Sequence, residues 1–248
     1  MNRLLFVFLF ACGLTASAQD SVPPGTILPV TLNSSLNTRK IKPGERISAT
    51  VMQDVPASDS LTVRARSKVQ GRVVEVTRPT SAGGAQLTVQ FDTLLVSKHH
   101  IPITTNLRAM ASMMDVYEAQ IPSSGPDRGT SDNAWTTNQI GGEVVYRGGG
   151  PVARGLQAVG KPVPNGVLAR TSARSGTPCR AEIGDNDRPQ ALWVFSSDAC
   201  GLYGLPGVSL VHAGRTQPTG KITLAADHGD LNLRSGSGLL LRVIEPPQ

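Results

Sequence analysis

Gln86–Val96 reads QLTVQFDTLLV, a run in which Leu87, Val89 and Phe91 alternate with Thr88, Gln90 and Asp92. Side chains that change face at every residue are the mark of a strand with one apolar face and one wet face. Just upstream, residues 69–77 (VQGRVVEVT) form a second strand with Gly71 as a predicted bulge, and residues 80–85 (TSAGGA) supply the hairpin loop between the two. Residues 97–100 turn the chain, and residues 101–109 (IPITTNLRA) are its return strand.

The pattern extends in both directions. After a Pro43-Gly44 turn, residues 46–55 (RISATVMQDV) place Ile47, Ala49, Val51 and Gln53 on one side and Ser48, Thr50 and Met52 on the other. Residues 26–32 (TILPVTL) and 61–63 (LTV) are shorter strands. Toward the end of the chain, residues 221–225 (KITLA), 230–234 (DLNLR) and 238–244 (GLLLRVI) are strands parted by Asp-His-Gly and Ser-Gly-Ser-Gly turns. Hairpins that follow one another without a helical interval predict an all-β fold. The expected architecture is an antiparallel barrel, or sandwich, formed by the N-terminal and C-terminal strands.

The middle of the chain differs. Residues 109–121 (AMASMMDVYEAQI) predict a short helix, and residues 123–178 are dominated by Gly, Pro, Ser, Thr and Asn. Strand-like runs return at 191–195 (ALWVF) and 208–212 (VSLVH). The predicted organisation is a barrel begun by residues 19–110, interrupted by a loop-rich insertion at 111–219 and completed by residues 220–248.

The 248 residues are ample for one core, and with aromatics at 4% that core must rest on Val, Leu, Ile and Ala. Met1-Asn2-Arg3, the apolar run 4–11 (LLFVFLFA) and the small residues Ala16-Ser17-Ala18 read as a secretory signal, residues 1–18, cleaved after Ala18. The apolar run is too short to span a bilayer, so no transmembrane segment is expected in the mature chain. An exported protein, periplasmic or extracellular, is the expectation. The alternative is a lipoprotein anchored through Cys12, because Leu9-Phe10-Ala11-Cys12 resembles a lipobox. Cys179 and Cys200 are the remaining pair, and in an oxidising compartment they read as a disulfide that bridges the insertion. Closing a loop of about twenty residues stabilises by roughly 3 kcal/mol. The net charge of +6 suits solubility, and it also suits partners such as envelope proteins or anionic cell-wall and lipid components. No nucleic acid is expected.

One candidate binding feature stands out. Arg64, Arg66, Lys68 and Arg72 share one parity while Val63, Val69 and Val73 share the other. On an unbroken strand this paints a cationic stripe able to take an acidic glycan or phosphate. A turn near Ser67 breaks that register, and the plainer reading is a solvated outer face. No metal, cofactor or catalytic residue is expected. His99, His100, His212 and His228 lack a second spaced ligand group, and Asp227-His228-Gly229-Asp230 has the chemistry of a turn. Ser235-Gly236-Ser237-Gly238 lacks the spacing of a nucleophile elbow, and no His-Glu-x-x-His occurs.

Across residues 24–76 the chain has a Pro-Gly-Thr-Ile-Leu-Pro-Val start, a Pro-Gly turn, an alternating strand ending Gln53-Asp54-Val55 and a strand built on Val-x-Gly-Arg-Val-Val. This order resembles the C-terminal β-barrel domain of TrbI-type conjugal-transfer proteins, and the exported single-barrel proteins that share it. Residues 220–243 resemble the strands that close such a barrel. The resemblance covers residues 24–110 and 220–244. It implies a barrel and, for channel-forming members, a part in type IV secretion. Two features depart from it. Arg64-Ala65-Arg66-Ser67 replaces a Pro-x-Gly-Ser turn, and no long apolar helix pair is present. Three functions are therefore carried forward. The first is a non-enzymatic envelope module for structure or interaction. The second is a glycan-active or other hydrolase drawing on Asp185, Asp187, Asp198 and His212. The third is a secretion-channel component.

Overall fold

A computed structural model describes residues 21–121 apart from 59 and 82, residues 139–141, 192–196 and 199–246, and the backbone of short strands between 135 and 169. The predicted signal, Cys12, Cys179, Asp185, Asp187 and Asp198 lie outside the described residues. The first part of the chain contains β1 (Ile27–Leu32), β2 (Leu36–Asn37), β3 (Arg46–Val51), β4 (Val55–Pro56), β5 (Thr62–Val63), β6 (Lys68–Thr77), β7 (Gln86–Val96), β8 (His99–Pro102) and β9 (Thr104–Ala111). Helix α1 (Met113–Glu118) follows. Then come β10 (Trp135–Asn138), β11 (Val144–Arg147), β12 (Val152–Arg154), β13 (Gln157–Gly160), β14 (Pro162–Val163) and β15 (Gly166–Ala169). The last part contains β16 (Gly201–Tyr203), β17 (Val208–His212), β18 (Lys221–Ala226), β19 (Asn232–Leu233) and β20 (Gly238–Ile244). The fold is all-β.

Ten strands form one sheet in the order β16-β9-β20-β1-β3-β6-β7-β18-β17, with β8 paired to β7 beside this path. The last strand lies between β1 and β9, with Ile27 opposite Arg242 and Leu107 opposite Leu241. N-terminal and C-terminal strands thus share one ladder. Two details differ from the expected antiparallel barrel. The β16–β9 pairing is parallel, and among the described residues no ladder joins the two ends of the strand order.

The sheet is nevertheless strongly curled. Its end strands β16 and β17 are joined by residues 204–207 alone. Five Cα–Cα steps reach less than about 20 Å, whereas the ladder laid flat would be ~38 Å across at ~4.8 Å per strand. A direct bond also crosses the gap: the amide of Leu107, on β9 next to one end of the order, donates to the carbonyl of Ala213, just after β17 at the other, at 2.8 Å. The concave side holds the main core, which includes Leu28, Val30, Ala49, Val69, Leu87, Phe91, Leu107, Ile222 and Leu241, all 2% exposed or less.

A second core covers the outside of β9 and β20. Ala109, Ala111 and Leu240 pack there against Val116 and Ala119 of α1 and against Leu192, Trp193, Val194 and Phe195. This explains why β20 reads GLLLRVI, an apolar run rather than an alternation: Leu239, Leu240 and Leu241 are all buried, toward two different cores. The helix begins where Ser112 Oγ accepts from the Asp115 amide at 3.1 Å, so residues 109–111 of the predicted helix belong to β9 instead. Of residues 191–195, expected to be a strand, the described residues 192–195 make a tight turn in which Leu192 bridges Phe195 and Trp193 has φ +57°. Among the described residues no helix is long and apolar enough to cross a membrane.

Candidate functional site

The four cations Arg64, Arg66, Lys68 and Arg72 do not form one stripe. Arg64 lies outside any strand and ion-pairs with Asp54 at 2.9 Å. Arg66 sits in a turn at φ +73°, its amide donating to the Val51 carbonyl. The turn near Ser67 therefore breaks the register, and only Lys68 and Arg72 continue along β6, exposed between the buried Val69, Gly71 and Val73. The Asp54 carboxylate also accepts from the Ala65 amide at 2.8 Å. That backbone hydrogen bond, then the Arg64 guanidinium, holds its pKa below the usual 3.8. A depressed carboxylate contributes stability above its unfolded value and loses it as pH falls through the folded one. Asp54→Asn is thus expected to lower the urea midpoint at neutral pH, with the gap to wild type closing below about pH 4. A pH-independent gap would show that the carboxylate charge plays no part.

Pairing across strands assembles a different feature. On the outward face, Arg46 of β3 lies directly opposite Arg72 of β6. Arg72 lies opposite Gln90 of β7, and Gln90 opposite Lys221 of β18. Directly opposed residues share a face, so these four side chains form a row running across the strands. Arg72 donates to Asp92 Oδ2 at 2.5 Å and to Gln90 Oε1 at 3.1 Å. Asp92 is steadied by Thr93, whose hydroxyl donates to it at 3.0 Å. A register shift between Gln70 and Gly71 places Asp92 beside the row. Among the described residues, Arg46 and Lys221 have no carboxylate within ion-pair distance. Like charges placed directly opposite cost roughly 0.2–1 kcal/mol, so the fold carries this row at some expense of stability.

The row was not legible as a site because its members stand at 46, 72, 90 and 221. Each does occupy an outward position of an alternating strand, which is the signal available in sequence; the register that aligns them is tertiary.

The other candidates are tied into structure. His212 Nδ1 is 2.8 Å from the Lys221 carbonyl and its Nε2 is 3.2 Å from Thr216 Oγ1, which fastens β17 to the loop that follows it. His99 and His100 are exposed on β8 rather than in a loop, and His228 is exposed in a turn. Among the described residues no three His, Cys, Asp or Glu side chains gather to hold a metal. A cleft of about 360 Å³ opens between α1, residues 139–141 and Tyr203. Of its two carboxylates, Asp115 accepts from the Ser112 hydroxyl at 3.1 Å and so belongs to the helix cap. Cys200 is 1% exposed, and its expected partner Cys179 lies outside the described residues. No family model, curated protein or solved structure matches the chain.

Proposed function

We propose that this chain is an exported, non-enzymatic envelope protein that acts as an interaction module, its outward sheet face holding anionic cell-wall or lipid material. The observation that carries this reading is the Arg46–Arg72 opposition, with Lys221 further along the same row. A solvated outer face needs no such arrangement, and among the described residues the Asp92 carboxylate ion-pairs with Arg72 and with neither Arg46 nor Lys221. The second core supports a role as a stable platform, since α1 and residues 192–195 close the outside of β9 and β20, while Arg46 of β3 and Arg72 of β6 are exposed among the described residues. The signal at 1–18 and the Cys179–Cys200 bridge belong to the same proposal. The hydrolase reading draws on Asp185, Asp187 and Asp198, and it has only the structurally engaged His212 among the described residues.

The test is sedimentation with purified envelope fractions. The recovered protein should lack residues 1–18 by intact mass and gain, on reduction, the mass of one opened bridge. It should also co-sediment with anionic wall or lipid fractions and be released by on the order of 0.5 M salt, where screening acts within a few ångströms. Retention on no fraction at low salt, or measurable turnover of a wall polymer, would overturn the proposal.

A further inference from the structure

We infer that the row Arg46–Arg72–Gln90–Lys221 binds a linear polyanionic glycan, laid across the strands rather than along them. This rests on the interaction-module reading and goes beyond it by naming the ligand class and the path it takes.

Three features argue for it. The first is spacing. Neighbouring strands lie ~4.8 Å apart, so cations stand at about 0, 5 and 14 Å along the row, unevenly spaced but on one line that a single polymer carrying several charges can span. The second is the group that fills the gap. Gln90 Oε1 accepts from Arg72 at 3.1 Å, which turns its amide nitrogen to the other side, near Gly220 and Lys221. Among the described residues that NH₂ group has no acceptor within the protein. Between two cations, an amide donor suits a sugar hydroxyl or a carboxylate oxygen. The third is shape. The row lies on the outer, convex side of a curled and twisted sheet, since the core occupies the inner side. A convex ledge meets a flat bilayer along a line only, while a single flexible chain can follow it from Arg46 to Lys221.

The experiment uses heparin and polygalacturonate as soluble linear polyanions, with phosphatidylglycerol vesicles alongside. Wild type should bind both polymers, and chains shorter than the ~14 Å row should lose most of the affinity. The double variant Arg46→Gln/Lys221→Gln should bind at least ~10-fold more weakly at low ionic strength, with the slope of log K against log salt reduced by about 2. Arg64→Gln/Arg66→Gln removes the same charge off the row and should change binding less than about twofold. Because Arg46→Gln relieves the opposition with Arg72, the double variant should melt no lower than wild type, which separates lost binding from lost folding.

Equal weakening by both double variants would reduce the effect to net charge and overturn the row. Vesicle binding with no polymer binding would make a lipid surface the occupant and overturn the ligand class. Absence of polymer binding while envelope sedimentation persists would overturn this inference and leave the interaction module standing.

Discussion

Gly71→Ala is expected to destabilise the protein by about 3 kcal/mol, seen as a lower urea midpoint with an unchanged slope. A Cβ at Gly71 would lie 2.0 Å from the Gln90 carbonyl oxygen and 2.9 Å from Phe91 Cα. These are backbone atoms of the neighbouring strand, with no flexible side chain available to yield. Accommodation requires β6 to part from β7 where their register shifts between Gln70 and Gly71. Gly71 also adjoins Arg72, whose bonds to Asp92 and Gln90 depend on that approach. Polyanion binding should therefore weaken along with stability. A variant within about 0.5 kcal/mol of wild type would mean that the strand pair has slack here.

Phe195→Ala is expected to cost about 3–5 kcal/mol, the range for emptying a buried aromatic site. Phe195 is fully buried among Ala109, Val116, Ala119 and Leu240. Its ring also sits 3.1 Å from where a Cβ would be at Gly238, so it packs against bare strand backbone. The damage should begin locally. Hydrogen exchange should show α1 and residues 192–196 losing protection first, while β3, β6 and β7 stay protected to higher denaturant. Uniform loss of protection across the sheet would show that the two cores unfold as one.

Two strands were legible end to end for different reasons. Residues 86–96 match β7, where apolar and polar residues alternate over 87–92, and residues 238–244 match β20, an apolar run bounded by the Ser-Gly-Ser-Gly turn and Pro246. Gly71 was legible as a bulge because a strand glycine between apolar residues has few other uses. Residues 46–55 were not one strand, for a local reason: Asp54 turns to accept from Ala65 and Arg64, which ends the β3 ladder at Val51. Residues 192–195 are apolar because they plug the second core, and burial from several directions leaves no period to read. Residues 201–203 gave no strand signal, since Gly201–Tyr203 pairs in parallel with β9 at an edge that the rest of the fold creates. The charged row was hidden for the same kind of reason, as its alignment is a property of register.

The position of β20 has a consequence for biogenesis. Its residues slot between β1 and β9, so both of those strands keep an open rim until the chain has been synthesised to Ile244. β1 waits roughly two hundred residues for this neighbour, a separation that makes for slow, late consolidation. Throughout that wait the nascent polypeptide offers unpaired strand rims and aliphatic surface to any other chain nearby, an aggregation hazard that lasts as long as the final strand is missing. A holding chaperone, or translocation faster than collapse, would shelter the polypeptide until its final ribbon arrives.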